Sequence, residues 1–235
     1  MRPIYISSVI ADPDAVLTHL MTLDWLQVTE ARLEYFMSDV PRSYAYGKGV
    51  GEREYHSNPY TPEIAAIRGQ FNSLGMAYNV CFLNRYDHQR HQLGWHADDS
   101  PAMNHDHPIA VVSFGAEREI WWKHKDTKGE TPPEQRQLLK HGSLFVMPAG
   151  FQMEHLHRIP KCDRTCGMRI SLTFRQYVEP PVGQAISFEA YESIGTNLGS
   201  MYATADRHED GTVSIYDRDG KRIAPDWSKQ EKAGE

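Results

Sequence analysis

At 235 residues, with 40% hydrophobic and 24% charged side chains, the chain has the make-up of one folded domain, or one domain with an appendage, and falls outside the disordered class. No apolar run approaches the roughly 18 to 20 residues that a membrane span needs. The opening MRPIYISSVIADPD holds neither a long apolar core nor a small-residue cleavage site, so neither a membrane partner nor secretion is expected. A net charge of −6 argues against a general nucleic-acid-coating protein but leaves room for a local basic groove. Three cysteines, Cys81, Cys162 and Cys166, are too few for a disulfide framework and point to a reducing compartment, cytoplasmic or, in a eukaryote, nuclear.

Two helices come first. DPDAVLTHLMTLDWL, residues 12–26, predicts a helix with Asp12 at the cap and Pro13 in the first turn. TPEIAAIRGQFNSLG, residues 61–75, predicts a second. Thr61 caps it, Pro62 takes the first helical position, Ile64, Ile67, Phe71 and Leu74 share a face, and Gly75 ends it. Between them VPRSYAYGKGVGEREYHSNPY has no helical period and reads as a hairpin with mobile loops. From residue 77 the period becomes two. AYNVCFLNRY puts Tyr78, Val80, Phe82, Asn84 and Tyr86 on one face, and IAVVSFG, EREIWWKH, SLFVM and RISLTFR continue as strands. Helices followed by many short strands predict an α+β domain, with helices packed on an antiparallel sheet or barrel. After Tyr177, VEPPVG reads as a linker and residues 183–200 as a further helix. TVSIYDRDGKRIAPD reads as a small hairpin turning at Asp219 and Gly220, and the last eight residues as a frayed end.

The strand RISLTFR carries Arg169, Ser171, Thr173 and Arg175 on one face and Ile170, Leu172 and Phe174 on the other. The apolar face belongs against a core. On an edge strand the two arginines would be ordinary aggregation control; inside a barrel they need an anion, which a short dicarboxylate would supply. GWHADDS places His96 and Asp98 two residues apart after a strand. With one distant histidine they would form a two-histidine, one-carboxylate set, which occupies one face of Fe(II) and leaves positions open. MEHLHRIPK offers His155 and His157 on one strand face, and either serves by geometry alone. WWKHKDTKG, with three lysines beside two tryptophans, reads as a solvated hairpin end or as a phosphate-contacting loop. Cys162 and Cys166 near the same histidines offer zinc, at a spacing that is not a standard structural site. The loop PAMNHDHP reads as a cover over the site, with His105 and His107 solvated.

PRSYAYG, LNRY, GWHADD, HPIAVVSFGAEREIWWKHKDTKG, HGSLFVM, HRIPK and RISLTFR occur in this order between about residue 40 and 177. In these motifs the chain resembles the AlkB-like Fe(II)- and 2-oxoglutarate-dependent dioxygenases, above all the human-type DNA-repair members. The resemblance implies a double-stranded β-helix, or jelly roll, buttressed by N-terminal helices. It implies a dioxygenase domain over 1–178, with helices and a nucleotide-recognition region in 1–76 and the jelly-roll core in 77–178, followed by an extension over 179–235 of unassigned role. It implies His96, Asp98 and His157 as iron ligands, His157 rather than His155 because x-x-Pro follows it. It places 2-oxoglutarate against Asn84, Tyr86, Arg169, Thr173 and Arg175, with Arg169 on the distal carboxylate. Asp99 matches a position that approaches the substrate base, Tyr55 is the candidate for stacking on it, and Arg42 matches the arginine of the family's PR motif. Lys123, Lys125 and Lys128 are the candidate phosphate contacts. Ser100 stands where the similar repair enzymes carry an acid, which loosens the expected choice of base. The implied activity is oxidative demethylation of 1-methyladenine or 3-methylcytosine in DNA or RNA, consuming dioxygen and releasing formaldehyde, succinate and CO2, by a monomer. The alternative is a 2-oxoglutarate-dependent hydroxylase of an unmodified base, a protein or a small molecule.

Overall fold

A computed structural model of the chain describes residues 2–40, 43–46, 53–100, 102–125, 133–178, 185–187, 202–207 and 213–217. They fall into two compact units. One takes Met1–Asp39, Asn58–Asp98 and His105–Gln176; the other takes Val40–Ser57, Asp99–Asn104 and Tyr177–Glu235.

In the first unit, β1 (Ile4–Ile6), α1 (Pro13–Leu20), β2 (Leu26–Thr29) and β3 (Arg32–Ser38) lead the chain. The second unit contributes β4 (Ser43–Tyr46) and β5 (Arg53–His56). The first then resumes with α2 (Pro62–Ser73), β6 (Val80–Tyr86), β7 (Leu93–His96), β8 (Ile109–Gly115) and β9 (Arg118–His124). It ends with β10 (Gln135–Leu139), β11 (Ser143–Met147), α3 (Phe151–Glu154), β12 (His155–Ile159) and β13 (Arg169–Arg175). The strands form a seven-stranded sheet, β1-β11-β8-β13-β6-β3-β2, and a four-stranded sheet, β10-β9-β12-β7. The pairs are antiparallel throughout. Residues of both sheets line one cavity, so the two layers enclose it as in a jelly roll.

The pleat of β13 builds the layers. Ile170, Leu172 and Phe174 are each 0% exposed on one face, and at about 1.5–3 kcal/mol apiece they anchor the core. Cys81 and Leu83 of β6 and Ala110, Val112 and Phe114 of β8 join them. Leu20 of α1 and Ile64, Ile67 and Phe71 of α2 cover that face, as the expected buttressing helices. Arg169, Ser171, Thr173 and Arg175 face the cavity.

Three local expectations differ from the structure. The first helix ends at Leu20, because the Trp25 indole donates to the Leu20 carbonyl at 2.9 Å and the chain is extended again by Leu26. Leu74 lies past the last turn of α2 and is 73% exposed, not on the apolar face. Strands also precede the second helix. β3 alternates Arg32, Glu34 and Phe36 as its buried set, which hides a central strand from a hydrophobic pattern. The buried charges are met locally: Arg32 pairs with Glu34 and donates through Nε to Asn84 Oδ1 at 2.7 Å.

In the second unit β4 and β5 form the expected hairpin, with Tyr44 opposite Tyr55. Further on, β14 (Ala185–Ser187), β15 (Tyr202–Arg207) and β16 (Val213–Asp217) make a three-stranded antiparallel sheet. Ala185–Ser187 are thus extended where a helix was expected over 183–200. Val213–Asp217 pair with an earlier strand; the expected turn at Asp219 and Gly220 lies outside the described residues. No helix among the described residues is long and apolar enough to cross a membrane.

Candidate active site

β7 and β12 run antiparallel with His96 opposite His157, which brings the two rings to a centroid distance of 4.1 Å. Asp98 lies just beyond the end of β7. Its Oδ1 is 3.7 Å from His96 Nε2 and its Oδ2 is 4.0 Å from His157 Nε2, and the three ligand atoms all lie within 4.8 Å of one another. His96 and Asp98 are held from behind, while His157 Nδ1 is buried without a hydrogen-bond partner. His96 Nδ1 is 2.9 Å from the Gly94 carbonyl, the Asp98 backbone N–H donates to Gln152 Oε1 at 2.9 Å, and Arg175 donates to Asp98 Oδ2 through Nε at 3.2 Å and Nη2 at 2.8 Å.

Burial alone would raise the Asp98 carboxyl, but Arg175, His157 and His96 outweigh it and hold the group well below the usual carboxylate range. Burial pushes His157 down to about 3, helped by His96, and burial lowers His96 as well. Two neutral imidazoles and one ionised carboxylate are the protonation states that metal ligation requires, and the donor set fits Fe(II) with open positions.

The cavity beside this cluster is lined by Asn84 and Tyr86 of β6, Arg169, Ser171, Thr173 and Arg175 of β13, and the apolar Leu93, Val111, Ile120 and Ile159. Arg169 is 0% exposed. Its Nη2 donates to Ser113 Oγ at 2.9 Å, but its Nε and Nη1 are buried without a hydrogen-bond partner. Burial pulls its pKa down to about 10. A buried cation with free donors calls for an anion, and a cavity with a metal cluster and such a guanidinium fits a dicarboxylate cosubstrate. The two arginines of RISLTFR thus have different surroundings: Arg175 is joined to Asp98, while Arg169 keeps donors to spare.

The cavity therefore collects His96, Asp98, His157, Asn84, Tyr86, Arg169, Thr173 and Arg175, all named from sequence. His155 turns elsewhere, opposite His124. Asp99 belongs to the second unit, as does Tyr55, which is 1% exposed and presents no free ring face in this conformation. Lys123 is half-buried with its Nζ 5.1 Å from the Trp95 ring, and Lys125 is half-buried at the end of β9. Arg42 and Lys128 lie outside the described residues. His105 and His107 are half-buried, with both ring nitrogens of His105 and Nδ1 of His107 out of solvent, so the expected solvated pair is not found. Of the two adjacent tryptophans, Trp122 is the buried one, packed on Phe145. Sequence reading missed Ser113 and Gln152. Ser113 left a signal, as the lone hydroxyl in the apolar run IAVVSFG; Gln152 left none, because it sits in a short turn of helix before β12.

The 2OG-Fe(II) oxygenase superfamily model matches residues 22–175. The chain is 26% identical over 193 residues to the DNA oxidative demethylase ALKBH2 of Bos taurus, covering 72% of this chain and 69% of that one. It is 30% identical over 173 residues to the same enzyme of Homo sapiens, covering 64% and 66%. It is 29% identical over 160 residues to the alpha-ketoglutarate-dependent dioxygenase alkB homolog 3 of Bos taurus, covering 66% and 54%, so the match spans less than two thirds of these last two relatives. Among solved structures, that of OsALKBH1 superposes with a TM-score of 0.51 at 14% identity, covering 75% of this chain and 98% of that one, a likeness of fold. With a jelly roll, a two-histidine, one-carboxylate cluster and a family model that spans most of the chain, the protein belongs to the 2OG-Fe(II) oxygenase superfamily, as an AlkB-like dioxygenase that uses Fe(II), 2-oxoglutarate and dioxygen.

Proposed function

We propose that the chain oxidatively demethylates N-alkylated bases in DNA or RNA, with 1-methyladenine and 3-methylcytosine as its substrates. The observation that carries the chemistry is one cavity lined by both the three-ligand cluster and the spare donors of Arg169. In this reading His96, Asp98 and His157 hold the iron. Arg169, helped by Ser113, takes the distal carboxylate of 2-oxoglutarate, and Asn84, Tyr86 and Thr173 wall it in. Iron held there would let dioxygen act as the oxidant, one oxygen atom going to 2-oxoglutarate, which would leave as succinate and CO2, and the other to the N-methyl carbon of the base, whose hydroxymethyl group would leave as formaldehyde. Arg175 keeps Asp98 ionised and aimed, Gln152 fixes its backbone, and the apolar wall of Leu93, Val111, Ile120 and Ile159 excludes water from the reacting centre. Asp99, next in the chain to Asp98, is the proposed contact to the base, and Lys123 and Lys125 the proposed contacts to phosphate. The names of the relatives, DNA oxidative demethylase among them, support the substrate class. All three metal ligands come from one chain, which supports a monomer as the acting unit, and the free cysteines support a reducing compartment.

A specific pair of observations favours a second reading, hydroxylation of another substrate. Ser100 brings no charge where an acid was expected, and the Tyr55 ring is buried. Mass spectrometry of methylated oligonucleotides incubated with protein, Fe(II), 2-oxoglutarate and air separates the two. The expected result is loss of about 14 mass units per methyl group, a net removal of CH2, with formaldehyde and succinate formed in step. Asp98→Ala and His157→Ala should each abolish both products while the far-ultraviolet spectrum stays that of the folded chain. Unaltered DNA and RNA oligomers, with 2-oxoglutarate still consumed, would overturn the demethylase reading and leave the second.

A further inference from the structure

β12 carries two histidines on the same face, and only His157 joins the cluster with His96 and Asp98. His155 is matched across the sheet with His124 of β9, their ring centroids 4.0 Å apart and their planes at 35°. Glu154, the last residue of α3, completes the group: the three residues each bring a metal-ligating atom within 4.8 Å of the other two. Three further observations bear on it. His155 is 2% exposed, and its Nδ1 is buried with no hydrogen-bond partner. Its ring is clamped on the other side by Phe151, stacked at 4.3 Å and 4°. The Lys125 backbone N–H donates to the Glu154 carbonyl at 2.8 Å and so ties the end of β9 to α3, beside His124.

This is a ligand set arranged before any ligand arrives. Two rigid strands and a ring clamp orient His155, and a backbone hydrogen bond sets the third donor near the second. The donor types narrow the occupant to a borderline divalent transition metal, the class that the like donors of the iron cluster also take. Two imidazoles exclude the hard cations that want oxygen alone, such as calcium and magnesium, and the absence of a thiolate disfavours soft monovalent copper. Two imidazoles, one carboxylate and water in a fourth position make a four-coordinate zinc site, with His124 and Glu154 on the solvent side to admit the water.

We infer that His124, Glu154 and His155 form a second metal site, distinct from the iron cluster, that takes zinc. Bound there, the ion joins β9, β12 and α3 at the end of the four-stranded sheet, two residues along β12 from His157. With three protein ligands and a water it is an open site, and the ion would tether the strand that presents His157. The inference does not depend on the nature of the oxygenase substrate.

The iron cluster would also accept zinc, so the full chain carrying His96→Ala and Asp98→Asn, which keeps an acceptor for the buried Arg175, is the background for the test. Zinc is titrated in competition with a chromogenic chelator, and thermal unfolding is followed in parallel. One zinc per chain should remain in this background, against two in the unaltered protein, and zinc should raise the unfolding midpoint. Adding His124→Ala or Glu154→Gln, both at exposed positions, should weaken that zinc by roughly 10-fold or more and remove the midpoint shift. His155 is buried, and its replacement can cost the fold, so the two exposed ligands carry the test. No zinc retained in the background chain, or a zinc that neither His124→Ala nor Glu154→Gln weakens, would overturn the site.

Discussion

Arg169 and Asp98 show how burial sets the charge state of a side chain and what each then needs. Asp98 is buried but surrounded by Arg175, His157 and His96, so it stays ionised. Arg169 is buried with one hydroxyl partner and two idle donors. Arg169→Met should therefore weaken 2-oxoglutarate by on the order of 3–5 kcal/mol, because the carboxylate it would pair is then left buried and unmet. Anaerobic titration of the iron protein reads this, with iron affinity moving little; an unchanged 2-oxoglutarate constant would remove Arg169 from that role. The histidines bring a pH dependence of the iron-free protein. His157 is lowered in the fold from 6.5 to about 3, so below pH 6.5 the unfolded chain takes up a proton that the folded chain refuses. Its stability is full above that value and drains away as the pH falls toward about 3; lowered Asp98 acts in the same direction below about 3.8. For one histidine held neutral, the loss between pH 7 and pH 5 is about 2 kcal/mol. Urea unfolding at the two pH values should show at least that drop, and equal stabilities would contradict it.

At the scale of elements, β13 and β8 bring the arginine strand and its hydroxyl partner together. Ser113 and Ser171 are opposite one another, and Arg169 is opposite Gly115. Gly115 has a φ of +80°, and a Cβ there would stand 2.4 Å from the Met168 carbonyl oxygen, which already accepts the Ala116 N–H at 2.8 Å. Backbone crowds that point on both counts, so nothing soft can yield. Gly115→Ala should cost on the order of 1–3 kcal/mol, and, by displacing the start of β13, should also weaken 2-oxoglutarate. Denaturant midpoints and the same titration test both halves; a variant as stable as the parent would show that the turn has room. The helix ends teach a related lesson. Asp12 caps α1 as its sequence implies, its carboxylate accepting from the Ala15 N–H at 3.0 Å, while the far end is set by Trp25, a residue that the helical pattern had included in the helix.

For the molecule as a whole, the chain interleaves two units, and the proposed phosphate contacts stand on the first of them. Lys123 lies near the end of β9 and Lys125 just past it, on a protein whose net charge is −6. Local cations rather than total charge would then supply the footing for a nucleic acid. Lys123→Glu with Lys125→Glu should raise the KM for a methylated oligonucleotide and flatten its dependence on salt, by a slope of about 0.7 to 0.9 for each phosphate that is no longer neutralised. Consumption of 2-oxoglutarate without oligonucleotide should persist. A KM and salt slope unchanged from the parent would take these lysines out of the interface.

What could be read from sequence was what short-range periodicity controls. Alternation along RISLTFR put Arg169, Ser171, Thr173 and Arg175 on one face and three core residues on the other, since a pleat is a property of a single strand. Proline and glycine marked the bounds of α2 for the same local reason. β3 stayed hidden because its inward residues include Arg32 and Glu34, a pair whose burial makes sense only once Asn84 lies beside them. Spacing alone could not decide between His155 and His157, nor tell Arg175 from Arg169. Those choices depend on register between strands distant in sequence. Tertiary pairing sets His157 opposite His96 and His155 opposite His124, and it brings Asp98 to Arg175 across 77 residues of chain, because side chains meet where backbones pair and pack, whatever their distance along the sequence.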